Sequence, residues 1–309
     1  MIRRFLCLLL CLLLCGCAAP NQPEAAGITF TDDTGAEITL QRKPERVAVL
    51  LSSLADLWIT AGGTVDITVG ETVERGFAAE SVILVDAGAG KTIDLEGLIA
   101  AQPDFVLYSS DLSGQLECAD GLRSAGIPAA GFRVETFDDY LRVLKICTDI
   151  LETPERYAQY GTALKAEIDG LIAKAQAAEI QPEILFVRAG SSAKYTKAKT
   201  AENHFVCGML KDLGTFNIAE KAPILLDGLS TEEILISDPD FILFTTMGDE
   251  SAGTAYMDSL ISDPVWQTLT AVKEGRVHQL PKELFQYKPN ARWGEAYAYL
   301  IELLYGEIV

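Results

Sequence analysis

Histidine is scarce in this sequence, and with it the usual basis of metal and acid–base catalysis. Only His204 and His278 occur among 309 residues; they lie far apart, and neither belongs to an HExxH motif. A zinc or manganese centre built on imidazole would need more histidines. His278 lies in an apolar strand pattern, which predicts a structural role, and His204 lies in a polar loop, which predicts a solvated side chain.

Motifs for nucleotide binding and nucleophilic catalysis are also missing. No GxGxxG opens a helix after a strand, no GxSxG occurs, and Asp86–Lys91 (DAGAGK) lacks the P-loop spacing. The sequence therefore favours a binding protein. A secreted α/β enzyme remains the alternative of another class, and it would need a nucleophile–base pair or a metal cluster that the motifs do not supply.

The cysteines outside the N-terminal region are few. Cys118, Cys147 and Cys207 are odd in number and widely spaced, which is not a disulfide framework, and no CxxC occurs. Two interpretations stay open, a Cys118–Cys147 disulfide or three buried thiols that act as small hydrophobic side chains.

The other four cysteines lie in an N-terminal targeting segment. Arg3 and Arg4 precede an apolar run, Phe5–Cys15, that is shorter than the roughly 20 apolar residues of a membrane-spanning helix. Leu14–Cys17 (LCGC) resembles a bacterial lipobox, which predicts lipidation at Cys17. Residues 1–17 are then a signal peptide and residues 18–27 a tether. The alternative is an ordinary secretory signal in which Cys17 is incidental.

Positive charge is sparse. Lys and Arg total 25 against 44 Asp and Glu, a net charge of −19. A chain this acidic is poorly suited to nucleic acid or to an anionic lipid surface. We therefore predict no nucleic-acid partner and membrane contact through the lipid anchor only.

Two stretches of the chain resemble each other. Ile93–Ser110 (IDLEGLIAAQPDFVLYSS) and Leu229–Thr246 (LSTEEILISDPDFILFTT) align without a gap at an offset of 136. Each predicts a short helix, a Pro-Asp turn and a buried parallel strand, because the strand segment is continuously apolar. The repeat predicts two similar α/β lobes; a chance recurrence of a common motif is the alternative. The identical pairs are Glu96/Glu232, Pro103/Pro239, Asp104/Asp240, Phe105/Phe241 and Leu107/Leu243.

A long helix separates the two repeats. Thr153-Pro154-Glu155 predicts a helix start with Thr153 as the N-cap, and the apolar spacing continues to about Glu179. Because strands and helices alternate on both sides, we expect a lobe at 28–152, an inter-lobe helix at 153–180 and a second lobe at 181–309. A long packing helix within a single domain is the alternative.

Two loops of the second lobe concentrate cations and aromatic side chains. Ligands of open α/β sheets bind beyond the carboxyl ends of the strands, where both loops begin. Together they predict a site for a bulky anionic ligand with flat or apolar parts; solvated lysines and an aromatic core ridge are the alternative. The predicted ligand-binding residues are Arg188, Lys194, Lys197, Lys199, Tyr287, Lys288, Arg292 and Trp293.

The mature chain, residues 28–309, resembles the bacterial ABC-transporter solute-binding lipoproteins of the siderophore, haem and cobalamin type, the class III periplasmic binding proteins. The resemblance is collective, since each segment alone is a loose match. The segments that carry it are FTDDTGAEITLQRKPERVAVL, LEGLIAAQPDFVLYS, MLKDLGTFNIAE, STEEILISDPDFILF and PVWQTLTAVKEGRVHQLPKELF.

The resemblance implies an α/β fold of two Rossmann-like lobes joined by one long rigid helix, with a ligand cleft between the lobes and limited closure. It implies that Glu96 and Glu232 dock into Arg pockets of an ABC permease, which an ATPase serves, at the outer face of the bacterial cytoplasmic membrane. It also implies that Arg188 contacts anionic ligand groups.

No intrinsic cofactor is implied, and the ligand expected from the resemblance is an iron-siderophore or a similar metal chelate. A corrinoid or haem is the alternative. Haem is a less favoured ligand than a siderophore or a corrinoid. The family's haem binders use His, Tyr or Met as iron ligands, and the candidate here, Tyr287, is weak. A receptor that senses its ligand without transport is a further alternative.

Overall fold

The computed structural model describes residues 27–86 and 92–306. The predicted signal peptide, its lipidation site Cys17 and the tether up to residue 26 lie outside the described residues. The described chain begins with the antiparallel hairpin that the alternating pattern predicts, β1 (Ile28–Thr31) and β2 (Glu37–Leu40). Asp32 fastens this hairpin to the first lobe, because its carboxylate accepts hydrogen bonds from the backbone N–H groups of Thr34 and Gly131.

The first lobe is a five-stranded parallel sheet in the order β5-β4-β3-β6-β7. Its strands are β3 (Val47–Val49), β4 (Ile67–Thr68), β5 (Ile83–Leu84), β6 (Phe105–Ser109) and β7 (Ala129–Phe132). Its helices are α1 (Ser52–Thr60), α2 (Gly70–Glu74), α3 (Leu95–Ala100), α4 (Ser113–Ser124) and α5 (Phe137–Leu151).

The second lobe repeats this plan around a parallel sheet in the order β10-β8-β11-β12, to which β9 adds antiparallel against β8. Its strands are β8 (Glu183–Ala189), β9 (Lys197–Ala198), β10 (Phe216–Asn217), β11 (Phe241–Thr246) and β12 (Val277–Gln279). Its α-helices are α8 (Phe205–Asp212), α9 (Thr231–Ser237), α10 (Glu250–Ile261), α11 (Thr270–Lys273), α12 (Lys282–Phe285) and α13 (Trp293–Tyr305). The α/β class with two lobes is therefore confirmed.

The two similar stretches occupy equivalent places in the two sheets. Each forms a short helix, a turn and a central, fully buried strand, β6 in one lobe and β11 in the other. The Asp of the turn makes equivalent hydrogen bonds in the two lobes. Asp104 accepts hydrogen bonds from the backbone N–H groups of Glu45 and Arg46, just before β3, and Asp240 accepts one from Glu183, which begins β8. This conserved geometry explains why a Pro-Asp turn stands at both positions.

The inter-lobe helix spans Pro154–Gln176 in three segments, α6 (Pro154–Tyr157), a π-helical segment (Ala158–Ala163) and α7 (Leu164–Gln176). At 1.5 Å per residue it extends roughly 35 Å. It departs from the prediction in two respects. It ends near Gln176 instead of Glu179, and the Thr153 hydroxyl donates to the Ala61 carbonyl instead of capping the helix.

The π segment places a backbone carbonyl where a neighbouring side chain reaches it. The Tyr140 hydroxyl of α5 donates a hydrogen bond of 3.0 Å to the Tyr160 carbonyl inside this segment. On the other side α13 packs closely against α7, and a Cβ added at Gly294 would lie 2.6 Å from Glu167 Oε1. The helix is therefore packed against both lobes.

Buried side chains form one cluster that continues from the first lobe through the inter-lobe helix into the second, and each sheet has a further cluster on its other face. Cys118, Cys147 and Cys207 are free and buried, which confirms the interpretation as small hydrophobic side chains. Among the described helices, none combines the length and the apolar content needed to cross a membrane.

Candidate functional site

The carboxyl ends of both sheets border a cleft between the lobes. Segments that follow β3, β4 and β7 contribute from the first lobe, and the segment Glu283–Arg292 after β12 contributes from the second. Polar contacts cross this cleft from two residues of the second lobe. Lys288 Nζ lies 2.8 Å from Glu135 Oε2, and Asn290 Nδ2 donates to the Ser53 carbonyl and to Asp56 Oδ2 at 2.8 Å each. The lobes therefore meet at residues 288–290.

A pocket of about 620 Å³ opens beside this contact, and we call it the Arg75 pocket. The Arg75 guanidinium lies over two rings, 3.9 Å from the centroid of Tyr287 and 4.8 Å from that of Phe77. Burial lowers the pKa of Arg75, and the charge of Glu71 opposes that shift. The pocket is lined by Asp56, Glu71, Glu74, Arg75, Phe77, Glu283, Tyr287, Lys288, Pro289, Ala291 and Arg292.

Arg75 is held in place by a chain of hydrogen bonds. Its Nη1 donates to Ser52 Oγ at 2.9 Å, and Ser52 Oγ donates to Glu71 Oε2 at 2.8 Å. Burial also raises the pKa of Asp56 on the opposite wall, although the bond from Asn290 counteracts this. The pocket thus presents a fixed, flat guanidinium against aromatic rings, a group that can bind a carboxylate, beside the four acidic side chains of its lining.

A second group of cations lies at the carboxyl end of β8. Arg188 and Lys197 oppose each other in the antiparallel β8–β9 pair, and Lys199 is next to both. Burial lowers the pKa of Lys199, and the charges of Arg188 and Lys197 lower it further. Within the described residues no acidic side chain pairs with any of the three. We call these residues the Arg188 cluster. Like charges held together without counter-ions favour the binding of an anion.

The remaining sequence-predicted residues lie in three different settings. Lys194 is exposed and stacks on the exposed ring of Tyr195, away from the cluster. Arg292 is half exposed at the rim of the Arg75 pocket and is paired with Glu295. Trp293 is 1% exposed, so it belongs to the core. The structure therefore joins Tyr287, Lys288 and Arg292 in one pocket and Arg188, Lys197 and Lys199 in one cluster.

His204 contradicts the prediction of a solvated side chain. It is the N-cap of α8, where its Nδ1 accepts a 3.3 Å hydrogen bond from Val206 N, and its ring packs 4.7 Å from Phe186 and 5.2 Å from Phe205. Burial is the main cause that lowers its pKa to about 3, with the charges of Lys288 and Arg188 acting in the same direction. His204 is therefore neutral, and it lies near enough to Lys288 and Arg188 for both charges to lower its pKa.

A further space of about 720 Å³ lies along the inter-lobe helix, and we call it the hinge pocket. Trp293, Phe137 and Phe205 form its aromatic wall, with ring centroids 5.6–5.8 Å apart around Trp293. Tyr297 donates a 2.7 Å hydrogen bond to Asp212, whose pKa is raised by burial. Among the described residues, no group of three or more His, Cys, Asp or Glu side chains is arranged to hold a metal ion.

Arg75, Glu135 and His204 are the site residues that sequence reasoning missed. Arg75 follows α2, the short helix after β4, so its position beyond the end of a strand was the available signal. Glu135 directly precedes the capping box of α5, in which Thr136 and Asp139 bond reciprocally. In the sequence it therefore looks like one more acidic residue at the start of a helix. Nothing in the sequence around His204 indicates that rings from β8 and α8 cover it.

Glu96 and Glu232 hold matching positions on the two lobes. Each is the second residue of its helix, α3 or α9, and each is exposed. Both helices directly precede an inner strand of their sheet, and each runs antiparallel to that strand. Their N-termini therefore lie at the carboxyl edge of the sheet, which borders the cleft. In the described part of the chain neither glutamate has an ion-pair partner.

Comparison with known proteins points in one direction. A family model described as "Periplasmic binding protein" matches residues 47–284. The Fe(3+)-citrate-binding protein YfmC of Bacillus subtilis (strain 168) is 23% identical over 290 residues, which are 89% of this chain and 87% of that protein.

Two solved structures have the same fold. The periplasmic heme-binding protein RhuT from Roseiflexus sp. RS-1 aligns with a TM-score of 0.69 at 20% identity, over 86% of this chain and 99% of that one. SirA of Staphylococcus aureus, complexed with staphyloferrin B, aligns with a TM-score of 0.70 at 16% identity, over 91% of this chain and 100% of that one.

Proposed function

The chain belongs to the periplasmic binding protein family, and from this premise we propose that it captures an anionic ferric chelate, of the siderophore or citrate type, for import. Members of this family are extracytoplasmic substrate-binding proteins of transporters. The chelate would bind in the cleft between the lobes, with its anionic groups on Arg188, Lys197, Lys199, Lys288 and Arg75.

The Arg188 cluster is the observation that carries this proposal. A chain with a net charge of −19 keeps three cations together at the carboxyl end of a central strand, and no described acidic side chain pairs with them. Such an arrangement destabilises the ligand-free protein through like-charge repulsion, and an anionic ligand relieves it. The printed names of YfmC and SirA, which refer to ferric citrate and staphyloferrin B, support the same class of ligand.

Haem is the second candidate ligand, because RhuT is described as heme-binding. Tyr287 is the available phenolate, but its ring covers Arg75, and the pKa of Lys282 is raised by a hydrogen bond with Tyr287. The ring and the hydroxyl of Tyr287 are therefore both already in contact with other side chains of the protein. His204 is covered by aromatic rings. A ferric chelate that brings its own iron ligands suits these residues better, and a corrinoid would also need none from the protein.

The remaining parts of the proposal follow from family membership and position. We assign Trp293 to packing between the lobes, since its ring is buried, and Lys194 to the surface. Glu96 and Glu232 would dock to an ABC permease served by its ATPase. A lipid on Cys17 would hold the protein at the outer face of the bacterial cytoplasmic membrane. The lobes would be residues 28–152 and 181–309, and no reaction would be catalysed.

A ligand panel tests the proposal. The full chain is mixed with ferric citrate, a ferric carboxylate siderophore, a ferric trihydroxamate, haem and cobalamin, and native mass spectrometry and intrinsic fluorescence report binding. We expect one or both of the carboxylate chelates to bind with a 1:1 stoichiometry. Binding of haem alone would favour the second candidate. Failure of every ligand in the panel to bind would contradict both the ferric chelate and haem as candidate ligands.

A further inference from the structure

Glu135 and Lys288 form an ion pair that bridges the lobes inside the cleft. Their side chains are only 35% and 19% exposed, respectively, and Lys288 Nζ also lies 4.4 Å from the centroid of the Phe205 ring. Charges with little surrounding water are weakly screened, so this attraction is stronger than that of a surface pair. While the pair is formed, the Lys288 ammonium is not free to bind an anion.

The two members of the pair line neighbouring spaces. Lys288 lines the Arg75 pocket, whereas Glu135 lines the hinge pocket and a rim pocket of about 470 Å³ that includes Asp111 and Arg133. A ligand that occupies the Arg75 pocket together with either space would therefore contact this pair.

Both backbones are fixed, so the side chains are the parts that exchange partners. The Glu135 N–H donates to Asp139 Oδ2 at 3.0 Å, which ties it to the start of α5. Lys288 is two residues from Asn290, which is bonded to Ser53 and Asp56 of the first lobe. Exchange therefore requires rotation of the two side chains and no movement of the lobes. Arg133 lines the same two spaces as Glu135 and offers the released carboxylate a second partner.

We propose that Glu135 determines the charge specificity of the site: its carboxylate occupies Lys288 in the ligand-free chain, and a ligand binds tightly only by replacing it with an anionic group. This inference rests on the proposed function. A chelate with free carboxylates takes over Lys288 and releases Glu135. An uncharged ferric trihydroxamate has no anionic group for Lys288. The Glu135–Lys288 pair therefore stays intact, and the chelate gains no contact with the ammonium.

The test compares Glu135→Gln with Asp111→Asn. Both variants remove one negative charge at the cleft, but Asp111 pairs with Arg133 and leaves the Lys288 pair intact. Dissociation constants are measured by fluorescence titration for ferric citrate and for a ferric trihydroxamate, and thermal unfolding confirms that each variant is folded. We expect Glu135→Gln to bind ferric citrate about tenfold more tightly, equivalent to ~1.4 kcal/mol. We expect the trihydroxamate to change by less than about twofold and Asp111→Asn to give a smaller gain.

A double-mutant cycle assigns the effect to Lys288. In the Lys288→Gln background the gain from Glu135→Gln should vanish, because no ammonium is left to be released. A gain that persists in that background, or one that Asp111→Asn reproduces in full, overturns the inference and leaves the proposed function intact. Failure of the unsubstituted chain to bind both ferric citrate and the ferric carboxylate siderophore overturns the proposed function itself.

Discussion

Replacing Arg188 by alanine is the substitution that the site's electrostatics predict most clearly. Arg188 faces Lys197 across the β8–β9 pair and has no described acidic partner, so its charge is not compensated within the protein. Its removal therefore leaves no carboxylate unpaired. It also relieves repulsion on Lys199, whose depressed pKa should rise towards its ordinary value because Arg188 is one of its causes. We expect the ligand-free variant to be as stable as the unsubstituted chain or slightly more so.

Arg188→Ala should lower the affinity for ligand and not the stability of the protein. A hydrogen bond to a charged group contributes roughly 1.5–3 kcal/mol, and each 1.4 kcal/mol corresponds to about tenfold in affinity. Arg188→Ala should therefore weaken binding of an anionic ferric chelate by roughly 10- to 100-fold. Arg188→Lys keeps the charge but loses the bidentate hydrogen-bonding geometry of the guanidinium. Its affinity should therefore lie between those of Arg188→Ala and the unsubstituted chain.

Fluorescence titration gives the dissociation constants, and thermal unfolding with and without ligand separates binding from stability. Lys194→Ala is the matched control, because Lys194 lies in the same loop but is exposed and stacks on Tyr195. Its affinity should stay within about twofold. An Arg188→Ala variant that binds as tightly as the unsubstituted chain, or a Lys194→Ala variant that loses as much, would refute the reasoning.

Three further predictions concern stability and transport. Because His204 has a pKa of about 3 when folded and an ordinary value near 6.5 when unfolded, the unfolded chain takes up the proton first, and the free energy of unfolding should fall by up to ~1.4 kcal/mol per pH unit below pH 6.5. His204→Asn, which still caps α8, should flatten this slope between pH 6.5 and 5 in chemical denaturation; an unchanged slope would show that His204 is not the cause. Gly253→Ala should destabilise by about 1 kcal/mol, because its methyl group would lie 3.1 Å from the backbone carbonyl oxygen of Ala189, whereas Gly208→Ala, which meets no atom within 4 Å, should be neutral or stabilising in the same measurement; equal effects would contradict the packing argument. Charge reversal of Glu96 and Glu232 together should abolish cellular uptake of the chelate and leave its dissociation constant unchanged, and normal uptake would remove both from the docking assignment.

Local patterns in the sequence were enough to predict the framework. The apolar runs Phe105–Leu107 and Phe241–Phe244 fill central strands in both lobes, because a strand buried on both faces has no polar position. Position along the chain also predicted that cations follow β8 and β12. These features depend on neighbours within a few residues, which a sequence displays directly.

Features that depend on distant partners could not be predicted in the same way. His204 reads as a polar loop residue, yet Phe186 of β8 covers its ring. The sequence around Trp293 does not indicate that Phe137 of the other lobe packs against its ring. The Glu135–Lys288 pair joins residues 153 positions apart. In each case the decisive contact comes from another element, and the sequence near the residue carries no sign of it.

A crystal structure of the chain with a bound ferric carboxylate chelate tests the central claim most directly. The account predicts the chelate in the cleft between the lobes, with anionic oxygens within hydrogen-bond distance of Arg188 and Lys288, and with Glu135 turned away from Lys288. A chelate bound elsewhere, with the Arg188 cluster open to solvent and the Glu135–Lys288 pair intact, would contradict it.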